Sequence, residues 1–171
     1  MKQDIAKIEL GKRVLGGDLN LCRIEDQKIQ NSFVEYREEA REIAYGLMVK
    51  GYRRGERVLV ITQEQETLLS LLLGCELAHV EITELRRESL KERLLTTIGT
   101  GAVRAVFLAN ESDYEYVKDI SSRSELNIDL FLIPDSDSLC DLRYLRMIGK
   151  SWEIKYKPLV DRAIREIKLN N

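Results

Sequence analysis

An α/β fold, with a doubly wound, mostly parallel sheet flanked by helices on both faces, is what this sequence predicts, and three observations predict it. Short apolar runs alternate with helical stretches of roughly ten to fifteen residues, the pattern of strands joined by crossover helices. The runs Val58–Ile61 and Val106–Leu108 are apolar throughout, as strands covered on both faces are. Finally, 171 residues with 44% hydrophobic and 33% charged side chains make one domain with enough apolar surface for a core of its own.

The elements follow in order. Residues 1–31 are broken by Gly11, Gly16, Gly17 and Asp18 and read as irregular, with a short element near Ile5 to Leu10 and a short strand at Leu21 to Ile24. Ser32-Phe33-Val34-Glu35 has the form of a capping box, so a helix is expected to start at Ser32. Its apolar face is Phe33, Tyr36, Ala40, Ile43, Ala44, Leu47 and Met48, and Gly51 is the natural stop. Gly55 turns the chain into the strand Arg57 to Thr62.

A leucine-dense helix, Glu64 to Leu77, leads to a strand around His79 to Thr83. Ser89 to Ile98 is helical, with Leu90, Leu94, Leu95 and Ile98 on one side, and Gly99 and Gly101 end it. Ala102 to Ala109 is a strand, Asp113 to Arg123 a helix and Ile128 to Ile133 a strand that Pro134 closes, completing a β/α core over residues 32–135. Two helices, Leu139 to Ile148 and Trp152 to Leu169, fill residues 138–169. The second has Ile154, Leu159, Val160, Ala163, Ile164 and Ile167 on one stripe, and Pro158 marks a break or a new start.

Composition excludes several classes. Twenty-seven basic against 29 acidic side chains leave a net charge of −2, which gives no sign of a nucleic-acid or anionic-membrane partner. Cys22, Cys75 and Cys140 are few and far apart, and the one histidine, His79, leaves too few ligands for a structural zinc site. Such sparse cysteines suit a reducing compartment. The longest apolar run, Leu68 to Cys75, is too short for a membrane span, so a soluble cytoplasmic protein is expected.

No complete catalytic motif is present. Gly99 and Gly101 precede a strand instead of following one, so they end a helix and do not cradle a dinucleotide. His79, at the start of a buried strand, reads as packed and hydrogen-bonded. Ligands of doubly wound sheets sit beyond the carboxyl ends of the strands, which singles out Thr62, Gln63 and Asn110 as substrate-binding candidates. Against that stands their use as helix caps, for which Thr62 and Ser112 or Asp113 are suitable types. A small flavodoxin-like enzyme fits less well, because Gln63-Glu64-Gln65-Glu66 offers acids and no glycine where a phosphate would lie.

One stretch is more specific. Ser32-Phe33-Val34-Glu35-Tyr36, Ile43-Ala44-Tyr45-Gly46-Leu47 and Lys50-Gly51-Tyr52-Arg53-Arg54-Gly55-Glu56-Arg57-Val58 resemble the N-terminal region of AMP-forming acyl-activating enzymes. Within that superfamily the long-chain acyl-CoA synthetases and fatty acyl-AMP ligases look nearest. The family pattern glycine-x-x-x-glycine-aspartate-arginine-valine is met by Gly51, Gly55, Glu56, Arg57 and Val58, with glutamate for the aspartate. Leu73 to Val80, Ala102 to Asn110 and Leu145 to Asn171 resemble later segments more weakly.

The resemblance implies part of an adenylate-forming acid:CoA or acyl-AMP ligase, contributing the sheet scaffold and part of the acid-binding wall. The full-length parent would use ATP, magnesium and coenzyme A. The family's threonine-, serine- and glycine-rich ATP loop ending in proline-lysine has no match here, the only prolines being Pro134 and Pro158. No catalytic residue therefore carries over, and the chain alone is expected to bind no cofactor and to be inactive. Its partner would be the remainder of the ligase, another protein or a second copy, met through an exposed apolar face. The alternative is a stand-alone, non-catalytic α/β binding module.

Overall fold

The computed structural model describes residues 27–61, 65–85, 90–99, 103–124, 127–133 and 141–169. The elements expected near Ile5 and Leu21 lie outside them. In chain order the elements are α1 (Gln27–Val49), β1 (Arg57–Ile61), α2 (Gln65–Leu77), β2 (Glu81–Glu84) and α3 (Leu90–Gly99). Then come β3 (Val103–Leu108), α4 (Glu111–Arg123), β4 (Asp129–Leu132), α5 (Leu142–Ser151) and α6 (Glu153–Leu169).

The four strands form one sheet in the order β2-β1-β3-β4, and every pairing is parallel. Successive residues of β1 point to opposite faces. Val58 and Val60 join Ala105, Phe107 and Phe131 in a core covered by α1, α2, α5 and α6. Leu59 and Ile61 join Val106 and Leu108 in a second core covered by Leu94 and Ile98 of α3 and Val117 of α4. Both faces are thus buried, which is why β1 is apolar at every position from Val58 to Ile61. The chain moves outward from β1 to β2 and then back past it to β3, so helices cover both faces.

The helix α1 is the hub of the first face. It meets α5 in backbone contact: a Cβ on Gly149 would meet the carbonyl oxygen of Glu42 and come within 2.6 Å of the nitrogen of Gly46. Beside this crossing the Arg146 guanidinium donates to Glu42 at 2.9 Å and to Glu39 at 3.0 Å, and the Ser70 hydroxyl of α2 donates to Glu39 at 2.7 Å. One half-buried network therefore joins three helices.

Several boundaries differ from the sequence reading. The helix α1 starts at Gln27, so Ser32 lies inside it and not at its start. No glycine or proline stands between Gln27 and Ser32, and extending a formed helix needs no new nucleus. Pro158 lies within α6 without ending it. The carbonyl that loses its partner belongs to Ile154, whose side chain is 95% exposed, so water can satisfy it. Leu95, Ile154 and Leu159 are exposed, although helical spacing set each on one side with residues that are buried. Val160, Ala163, Ile164 and Ile167, of the same stripe, are buried. No described helix is long and apolar enough to cross a membrane.

Candidate functional site

The strand order fixes where a ligand would be held. Its direction reverses between β1 and β3, and a doubly wound sheet opens a crevice at such a point, beyond the carboxyl ends of the strands. There the amide of Ala109 donates to Ile61 at 3.0 Å, drawing the two strand ends together. Asn110 follows, placed by β3 at the mouth of the crevice.

Its amide is occupied. Asn110 is the N-cap of α4: its side-chain oxygen accepts from the Asp113 amide at 2.9 Å and from the Ser112 hydroxyl at 2.8 Å, and its nitrogen donates to the Asp113 carboxylate at 2.7 Å. The cap is therefore Asn110, where Ser112 or Asp113 was expected. A carboxamide with oxygen and nitrogen both engaged holds α4 in place and has little left for a ligand. Thr62 and Gln63, which follow β1 in sequence, lie outside the described residues.

The opposite end of the sheet explains the most specific motif. Gly51 has φ +81 and closes α1 with paired bonds, Tyr52 N–H to Leu47 and Gly51 N–H to Met48. Gly55, at φ +83, completes a turn in which the Glu56 carboxylate accepts from the Arg53 amide at 2.9 Å. Arg57 pairs with Glu81 across β1 and β2 at 3.3 Å, and Val58 enters the core. Each matched residue thus serves the passage from helix to strand.

Between the two glycines, Tyr52 is 6% exposed and its hydroxyl donates to Asp129 at 2.7 Å. Burial, the hydrogen bond and the Asp129 charge together push this hydroxyl well above its ordinary value of 10.0. Lys50 lies 3.6 Å from Asp129 and over the Phe131 ring, and Arg104 lies over the Tyr52 ring and 4.0 Å from Glu56. Sequence reading missed this cluster because Asp129 is 77 residues from Tyr52 and no local pattern joins them.

An open groove of about 290 Å³ runs beside the cluster, lined by Lys50, Tyr114, Lys118, Asp129 and Phe131 among others. Both lysines have carboxylates at hand, Asp129 for Lys50 and Glu115 at 3.3 Å for Lys118. His79 is no strand residue: it holds φ 56 in the turn after α2, its side chain 37% exposed and 3.9 Å from Glu166. Cys75 is buried, and burial pushes its thiol above the ordinary range, which suits packing and not nucleophilic attack. Among the described residues no group of three or more histidine, cysteine or acidic side chains could hold a metal ion.

No family model matches the chain, and no curated protein does. Solved structures of AMP-forming ligases do share its fold. With VinN, in a complex with L-aspartate, the identity is 22% over 68% of this chain and 31% of that one, at a TM-score of 0.56. With a protein from Rhodopseudomonas palustris described as a long-chain-fatty-acid CoA ligase, it is 19% over 66% and 29%, at 0.54. With the fatty acid AMP ligase of Legionella pneumophila it is 19% over 70% and 20%, at 0.50. The matched region thus spans less than a third of each of these proteins.

Proposed function

We propose that this chain is an N-terminal fragment or subdomain of an adenylate-forming acid:CoA or acyl-AMP ligase, cytoplasmic and inactive alone. The conjunction that carries the reading is the Gly51-x-x-x-Gly55-Glu56-Arg57-Val58 motif at the α1–β1 junction of a fold shared with AMP-forming ligases. Fold by itself would not carry it, because doubly wound sheets host many activities.

In this role the chain supplies rigidity. The two cores fix β1 and β3, the Asn110 cap fixes α4, and the crevice at their carboxyl ends becomes one wall of the acid site. ATP, magnesium and coenzyme A belong to the complete ligase, whose remaining residues would grip the phosphates and stabilise the charge that develops on transfer. A fatty acid is the substrate we favour, because the motif looks nearest to long-chain enzymes.

The test is to isolate the native polypeptide from its own cells with an antibody raised against residues 27–169. A ligase piece is expected either within a longer chain or tightly bound to a second one, and the isolated material should exchange pyrophosphate into ATP when a fatty acid is added. Recovery of the 171-residue chain alone, without exchange, would overturn the proposal and leave a stand-alone binding module.

A further inference from the structure

The sheet ends at β4, and part of its outer edge is bare. The strand pairs with β3 in a register that sets Asp129 beside Ala105 and Leu132 beside Leu108. The amide of Ile133 donates to Leu108 at 2.8 Å, so the backbone groups of Phe131 and Asp129, in phase with it, also face β3. Those of Leu130 and Leu132 face outward. Leu132 meets Asp141 there in a parallel bridge. The N–H and C=O of Leu130 have no partner among the described residues. An unpaired strand edge is a template for a further strand.

The groove of about 290 Å³ follows this edge, for Ile128, Asp129, Leu130 and Phe131 all line it. Side chains of a strand alternate between faces, so four consecutive lining residues place the groove beside the strand and not over one face. Its walls stand on opposite faces of the sheet. Lys50, just past α1, is on the side of Asp129 and Phe131. Tyr114 and Lys118 of α4 are on the side of Ile128 and Leu130. Lys50 has Asp129 and Lys118 has Glu115, so charge does not choose the occupant. The free backbone does.

We propose that a single extended strand adds to β4 in this slot, supplied by the rest of the ligase, and this rests on the ligase reading. Walls on both faces leave room for one strand. A second copy of this chain would bring its own α1 and α4 to the same edge, wall against wall. The shared region is 31% of VinN and 20% of the Legionella ligase, so a ligase built on this fold has most of its chain still to place. The slot also sets the pattern of the incoming strand. Residues turned toward α4 meet Ile128, Leu130 and Tyr114 and are apolar, and those turned toward Lys50 and Asp129 are polar. Its backbone bonds the N–H and C=O of Leu130, as in other strand additions.

The test compares amide exchange in the 171-residue chain with that in the native material recovered by the antibody. In the chain alone Leu130 should exchange at nearly the unstructured rate, while Phe131, facing β3, is slow. In the native material Leu130 should slow by about a hundredfold or more, as an amide does on joining a ladder that opens rarely. A longer polypeptide or a tight complex in which Leu130 still exchanges freely would overturn the added strand and leave the ligase reading standing. Recovery of the 171-residue chain alone would overturn both. A pair of variants gives a second readout. Leu130→Pro lacks the outward N–H that Leu130→Ala keeps, and edge strands tolerate proline where that N–H faces solvent. The melting temperature of the proline variant should therefore fall further below that of the alanine variant in the longer polypeptide than in this chain alone. An equal difference in both would overturn the proposal.

Discussion

Tyr52 donates its hydroxyl to Asp129 at 2.7 Å, so the passage from α1 to β1 is tied to the first residue of β4, on the far side of β3. Tyr52→Phe keeps the ring and removes the bond, leaving Asp129 with Lys50. The expected loss is about 2 kcal/mol, typical of a hydrogen bond to a charged partner, read as a lower urea midpoint at unchanged slope.

Alkaline pH should destabilise the fold. Burial raises the proton affinity of Tyr52, of Tyr45, pushed up to about 12, and of Cys75 above the ordinary values of 10.0, 10.0 and 9.0. The folded chain therefore holds protons that the unfolded chain gives up. The stability from this source is complete below the ordinary values and falls as pH rises through them. Urea midpoints should decline from about pH 9 upward, and less steeply in Tyr52→Phe above pH 10.

Gly149→Ala should be severe. Its methyl group would collide with the Glu42 carbonyl where α5 crosses α1. Backbone cannot yield as a side-chain tip does, so the cost should be about 3 kcal/mol or more. Calorimetry should find a much lower melting temperature, whereas Ser151→Ala, on an exposed part of α5, should change it little.

His79→Gly should stabilise. His79 holds φ 56 while its amide bonds Glu76 and that of Val80 bonds Cys75, a helix stop at which glycine is unstrained. Relief of the strain should add about 0.5–1 kcal/mol. The exposed contact with Glu166 that would be lost is worth less than this. A lower urea midpoint in the variant would contradict this account.

Tyr45→Phe should be neutral or stabilising by up to about 1 kcal/mol. The ring is 2% exposed, and its buried hydroxyl has no hydrogen-bond partner among the described residues. Removing an unpaired hydroxyl removes a desolvation cost and leaves the packing of α1 intact. Thermal melting in paired samples decides it.

The layered architecture was legible because apolar runs such as Val58–Ile61 have one arrangement that buries them. Helix starts were less so. Ser32 has the chemistry of a cap, but capping chemistry competes with the ease of extending a helix, and extension won. Leu95, Ile154 and Leu159 misled because helical spacing identifies a face without saying whether anything covers it. Of the candidate site, Asn110 was correctly placed at the end of a strand, yet its role as the cap of α4 depends on an Asp113 geometry that composition does not reveal. Tyr52 and Asp129 escaped because long-range pairing leaves no local pattern.

The bond between Arg146 and Glu42 also sets a timetable. Its partners are 104 residues apart, and ribosomes add about 5–20 residues per second, so α1 waits on the order of 5–20 s for α5 to emerge. During that interval the surface destined for Leu145 and Gly149 is bare on the nascent chain. A chaperone that binds apolar helices would find its target there, and slowing translation between the codons of Val49 and Leu142 should lengthen its stay.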